Sequence, residues 1–194
     1  MSALRIGFVL TGSFCTFDKI LPVIETLCKR GHSVTPILSD NAGTLDTRFG
    51  TAAHWREALA ARTGTPPLDS ISAVEPIGPQ AWFDVLVVAP CTGNTLAKLA
   101  HGITDTPATM AVKSHLRGER PVVLAVSTND GLSGSAANLG TLLNRRHYCF
   151  VPLRQDAPRT KPRSLVAEMS LLPDTIDAAV QGKQLQPILL APNL

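Results

Sequence analysis

Two loops rich in small hydroxyl residues hold the chemistry of this chain: Thr11-Gly12-Ser13-Phe14-Cys15-Thr16-Phe17 and Pro90-Cys91-Thr92-Gly93-Asn94-Thr95. Each follows an apolar run, Leu4 to Leu10 and Asp84 to Ala89, and each leads into helical spacing. A strand that empties through such a loop into a helix makes an anion cradle. The helix start offers N–H groups without partners and the positive end of its dipole, and the hydroxyls add donors. Two cradles suggest one phosphorylated cofactor gripped from both sides by Gly12, Ser13, Phe14 and Thr16 and by Pro90, Cys91, Thr92, Asn94 and Thr95. For Ser13 and Thr16, helix capping is the plain alternative.

A dinucleotide fingerprint is absent, because Gly7 lies inside the strand and only Gly12 falls in the turn. Asp40, near the end of strand two, is only a partial echo of the acidic residue in that pattern. No Gly-Lys-Ser/Thr follows the turn, so a P-loop is absent as well. The first loop instead suits a single phosphate monoester.

Alternating elements position these loops. After strand one, Thr16 to Arg30 has helical spacing and stops at Gly31; Ser33 to Leu38 reads as a short strand two with an internal proline. A polar connection, Ser39 to Gly50, precedes a helix around His54 to Arg62, and Ser70 to Val74 reads as a weak strand three. Asp84 to Ala89 is strand four, apolar without alternation and so expected to be buried on both faces. Helices follow at Thr95 to Ala100 and Pro107 to Leu116, then strand five at Pro121 to Val126 and a helix at Ala136 to Leu143. Tyr148 to Leu153 is strand six, and Asp174 to Gln181 the last helix. The pattern predicts a single α/β domain over residues 1–194: a three-layer, doubly wound parallel sheet, Rossmann-like, in the order 3-2-1-4-5-6. That order puts strands one and four side by side at the switch point, where open α/β sheets bind ligands.

At 194 residues, 44% hydrophobic, the chain is long enough for a full core and too apolar for disorder. No apolar run approaches the ~20 residues of a membrane span, and the N-terminus enters a strand without a leader, so a cytoplasmic protein is expected. The cysteines (Cys15, Cys28, Cys91, Cys149) and the five histidines show no metal-ligand spacing. A net charge of +3, with no basic run interleaved with aromatics, gives nucleic-acid binding little support.

The segment Ala89 to Asp105 resembles the P-x-S-A-N-T…K-x-A-x-G-x-x-D signature of the FMN-binding, cysteine decarboxylase-like flavoprotein superfamily. Together with Thr11 to Phe17, Arg48-Phe49-Gly50, Glu75 to Pro79, Ser127 to Asp130 and Lys183 to Pro187, it resembles the B-subunit family of dipicolinate synthases over nearly the whole chain. The resemblance implies FMN as cofactor, with Ser39, Ser127 and Thr128 joining the cofactor contacts. It also implies a homo-oligomer and a partner, the A subunit of the same synthase, which carries NAD(P). The implied reaction is oxidation of a reduced pyridine dicarboxylate to dipicolinate in the mother cell during sporulation. Two departures speak against a stand-alone decarboxylase. The catalytic histidine expected eight residues before Asp84 is Pro76, and the substrate motif keeps only Asn129. A stand-alone flavin decarboxylase or prenyltransferase and a cofactor-free structural subunit remain the alternatives.

Asn94 either caps its helix or bonds a ligand, and Lys98 either anchors structure or adds charge beside a phosphate. Asp105 reads as a loop-fixing residue. Cys15 and Cys91 read as small packing residues with a reactive thiol as the alternative. The basic loop Arg154 to Ser164 lies at the carboxyl edge; by composition it is a solvated linker. A dicarboxylate substrate would give Arg159, Lys161 and Arg163, with Asn129, a binding role. No residue is assigned as the catalytic acid or base.

Overall fold

The most apolar run of the chain occupies the middle of the sheet. The computed structural model describes residues 2–191, so Met1 and residues 192–194 of the expected domain lie outside the described residues. In chain order the elements are β1 (Arg5–Leu10), α1 (Phe17–Lys29), β2 (Ser33–Leu38), α2 (Asp40–Thr44), α3 (Ala52–Thr63) and α4 (Ile71–Val74). Then come β3 (Val85–Cys91), α5 (Gly93–His101), α6 (Pro107–Leu116), β4 (Val122–Thr128) and α7 (Ala136–Leu143). The chain ends with β5 (Tyr148–Phe150), β6 (Leu153–Arg154), β7 (Leu165–Ala167) and α8 (Leu172–Ala179). Strands β2, β1, β3 and β4 lie parallel in that order. Every residue of β3 is buried, as the lack of alternation requires.

Helices cover both sides: α1 packs with α3 and α8, whereas α5 packs with α6 and α7. The amphipathic face of α1 buries Ile20, Ile24 and Leu27 completely, each worth about 1.5–3 kcal/mol of removed apolar surface. These side chains join the same core cluster as Phe8, Val87 and Leu124. Pro36 is accommodated inside β2 because its carbonyl faces the outer edge, accepting from the Leu68 amide at 2.9 Å; the N–H it lacks would have pointed the same way. Among the described residues no helix is long and apolar enough to cross a membrane.

The α/β class holds, but the strand order differs from 3-2-1-4-5-6 in two places. Ser70 to Val74 is not a strand: Ser70 accepts the Ala73 amide at 3.2 Å and caps helix α4. On the outer side of β2 there is, among the described residues, only a single bridge, Ile37 to Leu68. The expected strand six is split, because Pro152 cannot donate to a ladder; its carbonyl takes the Glu168 amide at 2.9 Å instead. The first half, β5, pairs parallel with the start of β4. The second, β6, joins β7, and β7 runs antiparallel to Ser127 and Thr128 at the end of β4. This reversal folds residues 155–164 over the carboxyl end of the sheet. The expected polar connection after Ser39 also contains a helix, α2, whose cap is Ser39 accepting from Ala42 at 3.3 Å.

Candidate functional site

The two loops meet at Thr11, just past the end of β1. Its buried hydroxyl donates to the Pro90 carbonyl at 2.7 Å and accepts the Thr92 amide at 3.1 Å. One side chain thus stitches the β1 loop to the β3 loop. Beyond it, Ser13 donates its amide to the Thr11 carbonyl at 2.7 Å in a tight turn. This turn brings the Ser13 hydroxyl to 3.2 Å from that of Thr16 and 3.1 Å from that of Ser127 on β4. Thr16 and Ser127 are 3.4 Å apart. Three hydroxyls therefore close a ring at the mouth of the sheet.

On the β1–β3 side of this mouth, Thr11, Gly12, Ser39, Thr92, Asn94 and Lys98 help line a cleft of about 270 Å³. The cap of α5 is Thr92, which accepts from the Thr95 amide at 3.3 Å and donates to the Thr95 hydroxyl at 3.1 Å. Asn94 is left exposed with no side-chain hydrogen bond among the described residues, so its amide is available to a ligand. Lys98 bonds both Asp105 oxygens, at 2.8 and 2.9 Å. That bond holds the Asp105 carboxyl below its usual range and fixes the loop after α5, while Lys98 still borders the cleft.

Not every expected contact faces a cleft. Pro90 and Cys91 are buried behind the β3 loop, and burial pushes the Cys91 thiol up to about 12, leaving it protonated and unreactive. The ring of Phe14 packs on Phe17 with centroids 5.3 Å apart. Thr128 donates its hydroxyl to Asp130, as Ser135 does at 2.8 Å, and these bonds keep the Asp130 carboxyl ionised below its ordinary range. Gly93 makes room for this knot: a Cβ there would stand 2.7 Å from the Thr128 hydroxyl and 2.8 Å from that of Ser135.

On the other side of the hydroxyl ring a second cleft, about 280 Å³, opens against β6 and β7. Lys161 and Asn129 line it, as do Arg154, Asp156, Glu168 and exposed Cys15, while Arg159 and Arg163 are exposed and do not line it. Burial would raise the Asp156 carboxyl, but the Lys161 ammonium holds it below the usual value. Of the four substrate candidates, the fold brings Asn129 and Lys161 to one cavity and separates the other two.

The donor set suits a phosphate monoester. Each hydroxyl has one hydrogen and two lone pairs, so a ring of three is satisfied by itself yet can turn all three hydrogens toward an entering oxyanion. Sequence reasoning missed Thr11, Asp130, Arg154, Asp156 and Glu168 as site residues. Thr11 could have been found as the first hydroxyl after the strand, and Asp130 as the carboxylate two residues past Thr128; Arg154, Asp156 and Glu168 meet the site only through the reversal after Pro152.

Residues 1–143 match the flavoprotein family. The chain belongs to that family. The B subunit of dipicolinate synthase from Bacillus subtilis (strain 168) is 46% identical over 186 residues, which are 96% of this chain and 93% of that protein. The crystal structure of the dipicolinate synthase B subunit from Bacillus halodurans superposes with a TM-score of 0.91 at 41% identity, covering 99% of this chain and 98% of that one. The flavoprotein fold alone is shared with the DmrB cage of Burkholderia xenovorans in complex with FMN, at TM-score 0.68 and 18% identity over 91% of this chain and 95% of that one. In this flavoprotein, as in the sequence pattern, the hydroxyl-rich loops follow the adjacent strands β1 and β3.

Proposed function

We propose that this chain is the B subunit of a dipicolinate synthase, a cytoplasmic FMN-binding partner of an A subunit that carries NAD(P). The observation that carries this reading is the 46% identity over 96% of the chain to a protein of that name. Gly12, Ser13, Thr16, Thr92 and Asn94 hold the FMN phosphate, with Ser39, Thr95, Ser127 and Thr128 beside it. When bound, FMN supplies a two-electron redox centre. The reaction removes a hydride and a proton from a dihydropyridine dicarboxylate, itself formed by loss of water from a hydroxylated tetrahydro precursor, and leaves aromatic dipicolinate. Its setting is the mother cell of a sporulating bacterium.

The residues of this chain bind and orient. The hydroxyl ring and the start of α5 supply donors for an anion. Asn129, beside the ring, is placed to bond substrate, and the buried β3 strand keeps the floor of the site rigid. The chain has no nicotinamide fingerprint, so the hydride acceptor NAD(P) belongs to the A subunit.

The test is reconstitution. Either protein by itself should produce little dipicolinate, and the two together should produce it with consumption of NAD(P). Purified chain should be yellow, with flavin absorbance lost on Ser13→Ala combined with Asn94→Ala. It should also run as a homo-oligomer in light scattering. Full NAD(P)-linked activity from this chain alone would overturn the division of labour.

A further inference from the structure

The cleft against β6 and β7 contains two cation–carboxylate pairs that phosphate binding leaves unused. Arg154 lies with Nη2 3.0 Å from Glu168 Oε2, and Lys161 with Nζ 3.1 Å from Asp156 Oδ2. All four residues line the same cavity of about 280 Å³, and Lys19 enters it from α1. Three cations thus face two carboxylates, so the cleft carries spare positive charge. The pairs are half-open: Arg154 and Glu168 side chains are 21% and 32% exposed, Lys161 and Asp156 side chains 56% and 29%.

These pairs line the same cleft as the hydroxyl ring. A guanidinium has five donors and an ammonium three, so each can serve an incoming acid while its own carboxylate keeps it in place. Arginine takes a carboxylate in a planar, two-pronged fit, and two separate cations in one cleft match an acid with two separated carboxylates better than a single one.

We infer that this cleft is a subsite for a planar dicarboxylic acid, with Arg154 and Lys161 each taking one carboxylate. Glu168 and Asp156 are positioning residues that hold the two cations in place. The cavity supplies the two cations in one cleft; that the acid they take is a dicarboxylate rests on the proposed function. The basic segment read from sequence thus divides, with Arg154 and Lys161 inside the site and Arg159 and Arg163 outside it.

The experiment titrates purified chain with three probes: dipicolinate, the monocarboxylate pyridine-2-carboxylate, and FMN. Wild type should bind dipicolinate about tenfold or more tighter than the monocarboxylate, since each charge-assisted contact is worth about that factor. Arg154→Gln and Lys161→Met should each weaken dipicolinate by about tenfold or more and shrink the gap between the two acids. FMN affinity should stay within about twofold, and Arg154→Lys should recover part of the loss because it restores charge without the planar fork. Should Arg154→Gln fail to fold, Arg154→Lys and Lys161→Met decide the matter. Glu168→Gln should raise KM in the reconstituted enzyme with little change in kcat, which loss of structure alone would not produce.

Equal affinity for the two acids, or a loss of FMN binding in place of acid binding in Arg154→Gln, would overturn the inference. Dipicolinate synthesis with KM unmoved by either variant would also sink it while leaving the proposed function standing. Selective binding of the dicarboxylate with no synthesis beside any A subunit would do the reverse.

Discussion

The two ends of the parallel sheet use similar polar side chains to opposite effect. At the amino end, Asp84 accepts the Arg5 amide at 2.8 Å and its guanidinium at 2.7 Å, and His32 accepts the Leu4 amide at 3.1 Å. The Ser114 hydroxyl donates to the Glu75 carbonyl and accepts the Gly78 amide, and the His115 ring meets the Pro121 carbonyl. Each of these groups makes a bond to backbone. At the carboxyl end the hydroxyls of Ser13, Thr16 and Ser127 close on one another, and the Asn94 amide has no partner among the described residues. Polar groups tied to backbone act as structure. Groups tied to one another can exchange partners for a ligand at small net cost, because a hydrogen bond is traded for a hydrogen bond.

The strongest way to break this contrast is to crowd the amino end. A Cβ at Gly78 would run into the Ser114 backbone carbonyl, which cannot swing aside as a side chain would. Gly78→Ala should cost about 3 kcal/mol and lower Tm by roughly 10 °C, measured by thermal unfolding. A change of under a few degrees would show that this end is more pliant than its bonding suggests.

The next effect depends on pH. Burial, with a smaller contribution from the Arg120 charge, pushes His115 down to about 4 from 6.5. The folded protein therefore prefers the neutral ring, whereas the unfolded chain takes up a proton near pH 6.5. The stabilisation is complete above that value and drains away as pH falls toward about 4, in all about 3 kcal/mol. Asp84 and Asp130, held below the ordinary carboxylate range, lose their contributions only at still lower pH. Tm measured between pH 7 and 4 should fall steeply for wild type and more gently for His115→Gln. Parallel slopes would remove His115 as the cause.

A smaller change sharpens the other side of the comparison. Thr11 is a carboxyl-end residue that bonds backbone of another loop, donating to Pro90 and accepting from Thr92, so Thr11→Val should behave like an amino-end substitution. It removes two hydrogen bonds and should cost about 2 kcal/mol, while weakening FMN binding because the loops are no longer stitched. A stability loss without any change in flavin affinity would separate the stitch from the cradle. Smallest of all, Arg159→Ala with Arg163→Ala should leave KM of the reconstituted enzyme within about twofold, as expected for solvated surface charges. A tenfold rise would return these two arginines to the site.

How much of the molecule was legible depends on the range of the signal. The buried strand Val85–Cys91 declared itself by continuous apolar residues, and α1 by its spacing, because both patterns are local. Ser70 to Val74 misled because a short apolar stretch has no clear period; the cap made by Ser70 settled it as a helix. Asn94 could be read as a cap or as a ligand contact until the bond from the Thr95 amide made Thr92 the cap. The ring of Ser13, Thr16 and Ser127 joins residues more than a hundred positions apart, and no local pattern encodes that.

By itself, the sequence determined the alternation of strands and helices, the burial of β3 and the placing of two hydroxyl-rich loops at the ends of neighbouring strands. Backbone periodicity and turn chemistry act over a few residues, so they can be read without the fold. Only the tertiary structure decided which cations face the cavity. After Pro152 ends the pairing with β4, the chain turns back as β6 and β7, and that reversal lays Arg154 and Lys161 along the cavity and leaves Arg159 and Arg163 off it. All four are basic residues within one segment of ten. Composition cannot tell them apart, because the direction a loop side chain faces is set by the strands that anchor its two ends.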